Sequence, residues 1–264
     1  MLWINAKIKK IVQQSYGAVA LTKTSCCPGN SCCSTNDIAK NIGYLPHDID
    51  AIGDANLGLG CGNPTAITSI REDEVVLDLG SGAGIDCFLA AKKVGTTGKV
   101  IGVDMTPEMI ALAKENAKKF NYSNVEFILG DIEHLPVVDN TVDIIISNCV
   151  INLVPDKAKA FSECHRVLKP GGRIAISDII LEGTLPPHLK KSIDAYVSCI
   201  AGAIQKDDYI LLLYKAGFTN VEIAKEYSYG NLFASNNWKI DGKSCDDYKQ
   251  YIDVVKSISI IAWK

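Results

Sequence analysis

The chain has 264 residues, with 27 basic against 30 acidic side chains and a net charge of −3. At 47% hydrophobic and 22% charged residues it has the composition of a packed globule, and its slight acidity argues against a general nucleic-acid surface. No run approaches the ~18 consecutive apolar residues of a membrane span. Residues 1–14 carry Lys7, Lys9 and Lys10 without the apolar stretch of a secretory signal, so a cytoplasmic protein with no membrane partner is expected. The ten cysteines stand apart from this ordinary composition. In a reducing compartment they stay thiols, which serve as ligands, nucleophiles or small buried hydrophobes.

In chain order, residues 5–17 predict a short helix with Ile8, Ile11 and Val12 on one face, stopped at Gly17. A small, polar stretch comes next, with Cys26, Cys27, Cys32 and Cys33 around a Pro-Gly turn. Residues 37–41 add a helical turn, and residues 46–64 are Gly-rich without clear periodicity. Residues 1–65 therefore read as a loop-rich cap, too poor in apolar periodicity to be a domain of their own. From Glu74 the texture changes. Apolar strands at 75–80, 99–104, 125–131, 142–147 and 173–179 alternate with helices at 85–94, 107–120 and 156–167, the last ended by Lys169-Pro170-Gly171-Gly172. That alternation predicts an α/β fold: a Rossmann-like, mostly parallel sheet with helices on both faces, over residues 66–180. Residues 181–264 form a C-terminal extension, with helices at 187–204 and 207–216 and late strands at 221–226 and 254–263 as a terminal hairpin pair.

Asp78-Leu79-Gly80-Ser81-Gly82-Ala83-Gly84 lies where the first strand meets its helix. Its glycines permit a tight turn and close approach to a ligand, but the G-x-G-x-G spacing is not the dinucleotide fingerprint. Asp78 places a carboxylate beside the loop, where it could bind an ammonium group. Asp104 ends the second strand, where an acid accepts hydrogen bonds from ribose hydroxyls. After the third strand, Asp131 could bind an exocyclic amine and Ile132 cover an adenine face. Three carboxylates at successive strand ends suit a ligand with a ribose, an amine and no phosphate. Over residues 74–180 this set resembles the class I S-adenosylmethionine methyltransferases, to which the LKPGG turn also belongs. The candidate cofactor residues are Asp78, Gly80, Ser81, Gly82, Gly84, Asp104, Met105, Asp131, Ile132 and Asn148, with S-adenosylhomocysteine as the product.

Among the remaining cysteines, Cys87 and Cys164 lie on helices and read as small buried hydrophobes. Cys149 lies just past the fourth strand, on the edge where open α/β sheets bind ligands. Cys61 sits between two glycines, and Cys199 on a helix beyond the fifth strand. Organic substrates usually need a base, and none stands out, so methylation of a small organic molecule such as a quinone precursor is the weaker alternative. A soft, thiophilic centre prefers thiolates, and trivalent arsenic held by sulfur keeps a lone pair that needs no deprotonation.

Cys61 in LGLGCGNP, Cys149 in SNCVINL and Cys199 in CIAGA resemble the three arsenic-binding cysteines of the arsenite methyltransferases. DLGSGAG, GVDMTPEM and RVLKPGG are similar to the same family, over about residues 16–226. The resemblance implies methylation of arsenite, presented as a thiol complex such as that with glutathione. It implies thioredoxin or glutathione as the external thiol reductant, and nothing calls for more than a monomer. It also implies a fourth, N-terminal cysteine that pairs with Cys61 during turnover. Cys26, Cys27, Cys32 and Cys33 compete for that role, Cys33 first by spacing and Cys32 second. A zinc knot on Cys27 and Cys32 is a weaker reading, because adjacent cysteines rarely converge on one metal. Leu59 departs from the family, whose animal and algal members carry an aromatic there, and the chain is shorter than those relatives beyond the fold.

Overall fold

The computed structural model describes residues 2–23, 35–52, 55–228, 239–240, 243–244 and 253–264. Cys26, Cys27, Cys32, Cys33 and Cys245 lie outside them. Seven strands form one sheet in the order β3-β2-β1-β4-β5-β9-β6, comprising β1 (Val75–Leu79), β2 (Lys99–Asp104), β3 (Val125–Leu129), β4 (Val142–Asn148), β5 (Leu168–Leu181), β6 (Thr219–Ser228) and β9 (Val255–Trp263). The first five are parallel, and β9 inserts antiparallel between β5 and β6, so the late strands complete the sheet as neighbours. A separate two-stranded ladder joins β7 (Lys239–Ile240) and β8 (Lys243–Ser244).

The alternation along each strand divides the core. Ile144 and Ile146 of β4 face the cluster containing Phe88 and Met109, whereas Ile145 faces the cluster of Phe161, Tyr209 and Leu213. Helices α5 (Ile85–Val94) and α6 (Pro107–Lys119) cover the first face, and α7 (Lys157–Val167) and α10 (Lys206–Lys215) the second. Aromatic contacts lock both: Phe88 stacks on Tyr122 at 4.7 Å, and Phe161 meets Tyr209 edge-on at 5.4 Å.

Three local expectations are corrected. The first helix, α1 (Leu2–Thr22), runs through Gly17 instead of ending there. A side chain at Gly17 would press on the Glu108 carboxylate at 3.0 Å, so the missing Cβ lets α1 cross close to α6. The segment after the Cys-rich stretch is more helical than its composition suggests, with α2 (Thr35–Asn41), α3 (Pro46–Ile52) and α4 (Pro64–Ile67). Val19, Ala39, Ile42 and Tyr44 of this cap are buried in the same cluster as the sheet. Finally, the helix expected over 187–204 is broken into α8 (Pro187–Lys190) and α9 (Ile193–Val197), and Cys199 lies past the end of α9. Ser192 caps α9 by accepting from the Ala195 amide at 3.0 Å, which restarts the helix in a new direction before Cys199.

Among the described residues no helix is long and apolar enough to cross a membrane. Gly202, three residues past Cys199, fixes the turn that carries this thiol: a Cβ there would lie 2.0 Å from the Asn152 carbonyl oxygen. Gly202→Ala should destabilise the fold by about 1–3 kcal/mol through backbone displacement, lowering Tm by roughly 2–4 °C per kcal/mol. Thermal melting of the variant checks this, and a wild-type Tm would show that the turn yields without cost.

Candidate active site

The sheet order reverses between β1 and β4, and there the C-terminal strand ends leave a crevice. Gly80, Gly82 and Gly84, at φ 63°, 50° and 99°, carry the chain from β1 into α5. Asp78, Gly80, Ser81, Gly82, Asp104, Met105, Asp131, Ile132 and Asn148 all line the crevice, whereas Gly84 stands behind the turn. The Asp104 carboxylate accepts from the Gly82 amide at 3.0 Å and the Thr106 amide at 2.8 Å. It therefore holds the glycine turn as well as facing the crevice.

Asp78 and Asp86, both buried, share this wall with the half-buried Asp104. Burial, the Asp86 charge and then Asp104 push the Asp78 carboxyl well above its ordinary range. Burial lifts Asp86 to about 6, against hydrogen bonds from Tyr44 and Asn148 that favour its charge. Burial also raises Asp104, opposed by the amides it accepts from. Such a wall favours a cation. The Ser81 hydroxyl is buried there without a partner, and space stands open beyond Gly82. Carboxylates for an ammonium and a sulfonium, an acid for ribose hydroxyls and a spare hydroxyl together fit S-adenosylmethionine. Asp131 lines the crevice with its carboxylate paired with Lys9 of α1 at 2.6 Å, and Lys9 also reaches Glu133 at 2.5 Å.

Cys61, Cys149 and Cys199 come from distant stretches and meet in one buried cluster beside the crevice. The Cys61 and Cys149 sulfurs form a disulfide with Cα atoms 5.8 Å apart. Cys61 is thus bonded to Cys149, while Cys33 and Cys32, expected to pair with it during turnover, lie outside the described residues. Three side chains hold the Cys61 backbone in place. Asn148, at the end of β4, accepts from the Cys61 amide at 3.0 Å, while Tyr227 of β6 and Ser257 of β9 donate to the Cys61 carbonyl at 2.8 and 2.9 Å. Cys199 completes the group by donating its thiol to the Cys149 carbonyl at 2.9 Å.

Cys149 and Cys199 both hold left-handed backbone, at φ 58° and 64°. For residues with a Cβ this costs on the order of 1–2 kcal/mol, the kind of strain found where side chains are aimed for function. Burial pushes the Cys199 thiol well above its ordinary range and the Asp178 charge adds to this, whereas the Tyr16 hydroxyl bonded to its sulfur and the Lys157 ammonium pull it down. A buried, neutral thiol is its resting form. The remaining free cysteines among the described residues, Cys87 and Cys164, are buried as expected, and burial lifts the Cys164 thiol to about 12. Cys87 is not purely apolar, since its thiol donates to Asp78 at 3.2 Å.

Asp86, Asp178, Lys157, Lys9 and Tyr16 escaped the reading of the sequence. Asp178 was visible as a lone acid in the apolar run of β5. Its carboxylate accepts from Asn152, Tyr209 and the Ile179 amide, and one oxygen lies with the Cys61 and Cys149 sulfurs, all three atoms within 4.8 Å of one another. Burial lifts Asp178 to about 7. Lys9 and Tyr16 share a helical face with Val12 and Gln13, a spacing that would have placed them together but not over which site.

Residues 70–217 match a family model described as a methyltransferase domain. The chain is similar to the arsenite methyltransferase of Halobacterium salinarum, at 47% identity over 82% of this chain and 58% of that one. It is similar to that of Aquipseudomonas alcaligenes at 35% identity, over 81% of this chain and 63% of that one. An X-ray crystal structure of an arsenic(III) S-adenosylmethionine methyltransferase from Chlamydomonas reinhardtii matches with a TM-score of 0.66 and 34% identity, over 86% of this chain and 73% of that one. The chain belongs to the arsenite methyltransferase family. It spans about three fifths of the length of the two curated relatives named here.

Within this family fold, Asp104 tests the cofactor crevice directly. Asp104→Ala should weaken S-adenosylmethionine binding by about 10–150-fold, the usual loss when a charged acceptor is removed. Calorimetric titration checks this, and unchanged affinity would remove Asp104 from the crevice's binding set.

Proposed function

We propose that this protein transfers a methyl group from S-adenosylmethionine to trivalent arsenic held by Cys61, Cys149 and Cys199. The observation that carries this reading is the convergence of three thiol positions from three separate stretches in one buried cluster, of which Cys149 lines the carboxylate-bearing crevice. Bound in the crevice, the cofactor supplies an electrophilic methyl group on a positively charged sulfur.

The cycle begins with the Cys61–Cys149 disulfide. An external thiol reductant such as glutathione or thioredoxin supplies two electrons and two protons and releases both sulfurs as thiols. Each thiol then displaces one hydroxide from arsenite, or one thiolate from its glutathione complex. An arsenic–sulfur bond forms, and the thiol proton leaves with the displaced group as water or free thiol. Neutral buried thiols are therefore suited to loading, and no separate base is needed. Bound to sulfur, arsenic keeps its lone pair, which forms the new bond to the methyl carbon as that carbon's bond to the sulfonium breaks. Asp78, Asp86 and Asp104 orient the positively charged reactant. Holding both partners in line is the protein's main contribution to rate. Arsenic loses two electrons formally in this step, and further external thiol restores them before the next transfer. This dependence on thiols fits a reducing compartment such as the cytoplasm.

Incubation with arsenite, S-adenosylmethionine and a thiol should release demethylated cofactor only when arsenite is present. Cofactor turnover that ignores arsenite and tracks an organic acceptor would overturn the reading. Cys149→Ser and Cys199→Ser should each abolish arsenite methylation with cofactor affinity near wild type, because a serine hydroxyl is a hard, protonated oxygen that trivalent arsenic does not prefer. Near-normal turnover in either variant would remove that position from the arsenic site.

Coordination count separates Cys61 from the other two. Arsenite has three exchangeable oxygens, whereas methylarsonous acid has two, which Cys149 and Cys199 fill alone. Cys61→Ser should therefore lose methylation of arsenite and keep measurable methylation of methylarsonous acid. Equal loss on both substrates would make Cys61 a permanent ligand. The same comparison on Cys33→Ser and Cys32→Ser tests which N-terminal thiol, if either, pairs with Cys61 during turnover.

A further inference from the structure

Helix α1 forms part of the crevice wall, to which it contributes Lys9, Val12 and Tyr16. Its two halves are held by different forces. In the C-terminal half Val19 and Ala20 are buried in the cluster that carries the sheet, and Gly17 fits against α6. Toward the N-terminus Val12 is the last buried residue; Ile8 packs only in part, and none of residues 5–11 is buried. Polar ties take over there. The Lys9 ammonium reaches the Asp131 carboxylate at 2.6 Å and the Glu133 carboxylate at 2.5 Å, and the Gln13 amide donates to the Met105 carbonyl at 2.7 Å. Asp131 and Met105 line the crevice just past β3 and β2. Glu133 is buried and fixed from its other side, since its second oxygen accepts from the Asp156 amide at 3.0 Å.

A helical segment with little buried apolar surface opens locally at low cost unless something else restrains it. Lys9 supplies the restraint. One ammonium bridges two carboxylates of the loop after β3, so lifting the helix there gives up two charge-assisted hydrogen bonds at once. We propose that Lys9 is a positioning residue that latches the N-terminal half of α1 against the crevice, so that the cofactor enters and leaves only when this bridge opens. Glu133 is the fixed catch, and Asp131 ties the latch to the crevice itself. Lys9 need not touch the cofactor. Because the bridge joins protein to protein, opening it is equally hard with the crevice empty or filled. The latch therefore slows entry and exit alike and leaves the equilibrium affinity almost unchanged.

This inference rests on the crevice being the S-adenosylmethionine site. Lys9→Met keeps an apolar stem and removes the charge. Rapid mixing and filtration with radiolabelled S-adenosylmethionine gives the association rate, a chase with excess S-adenosylhomocysteine the dissociation rate, and calorimetry the affinity. In Lys9→Met both rates should rise about 10-fold, with Kd within about threefold of wild type. Glu133→Gln leaves Lys9 and Asp131 in place and should raise both rates about threefold. Lys9→Met/Glu133→Gln should be no faster than Lys9→Met alone, because the same bridge is already broken. In the protein without cofactor, backbone amides of residues 8–13 should exchange hydrogen faster in Lys9→Met, whereas those of residues 18–22 keep wild-type protection. A weaker affinity with an unchanged association rate overturns the proposal, because Lys9 would then act on the bound cofactor itself. Faster hydrogen exchange along the whole helix also overturns it, by making Lys9 a general stabiliser. Should Lys9→Met fail to melt cooperatively, Glu133→Gln is read by the same measurements. Wild-type protein that does not bind S-adenosylmethionine overturns the reading of the crevice. Wild-type binding alongside unchanged rates in both variants overturns this inference alone.

Discussion

The side-chain amide of Asn148 sits where the cap, the cofactor crevice and the thiol site meet. Its oxygen accepts from the Cys61 amide, and the two protons of its nitrogen are shared among the Gly62 carbonyl at 2.8 Å, the Tyr44 hydroxyl at 3.0 Å and the Asp86 carboxylate at 3.3 Å. Tyr44 belongs to the cap, Asp86 to the first turn of α5, and Cys61 to the loop before α4. A half-buried amide with partners on every side is expensive to displace, because each partner would be left unsatisfied in a low-dielectric setting. The position of Cys61 therefore depends on the end of β4, and Cys149, the next residue after Asn148, is placed by the same strand end.

Around that clamp the molecule keeps two kinds of buried chemistry apart by a few side chains. The crevice wall carries carboxylates raised by burial, which favour a cation. The thiol cluster is mostly apolar, with Ile179, Leu181 and Leu185 beside the cysteines, and next to it lie the buried Asp178 and the half-buried Lys157. Burial lowers the Lys157 ammonium, while Asp178, Cys199 and Glu133 favour its charge. The two environments suit two different partners, one positively charged and hydrated, the other soft and thiophilic. The left-handed backbone at Cys149 and Cys199 turns their side chains toward the shared wall, and strain there is tolerated because strand β4 and Gly202 leave the turns little room to relax.

Much of the architecture was legible because strands buried on both faces read as short apolar runs and their connecting helices as amphipathic ones. Val100 to Asp104 and Val142 to Ser147 are such runs, and the acids Asp78, Asp104 and Asp131 at the ends of the first three strands announced the crevice. The cap was not legible. Its helices bury few side chains each, and α1 runs through Gly17, where a side chain would press on Glu108 of α6. The break before Cys199 was missed for a related reason: the run from residue 187 to 204 has helical periodicity, but Ser192 caps a new helix within it.

By itself the sequence determined the parallel sheet, the glycine turn, the acids at successive strand ends and the identity of the cysteines worth attention, because these depend on local pattern and on chemistry that each residue type carries alone. Only the tertiary structure decided that Cys61 is bonded to Cys149, that Asp131 is held by Lys9, that Asp178 lies among the sulfurs and that Tyr16 packs on the cysteine cluster. These are contacts between residues far apart in the chain. They are set by how α1 crosses the sheet and how β4 and β5 align, and no spacing along the sequence encodes the angle at which two packed elements meet.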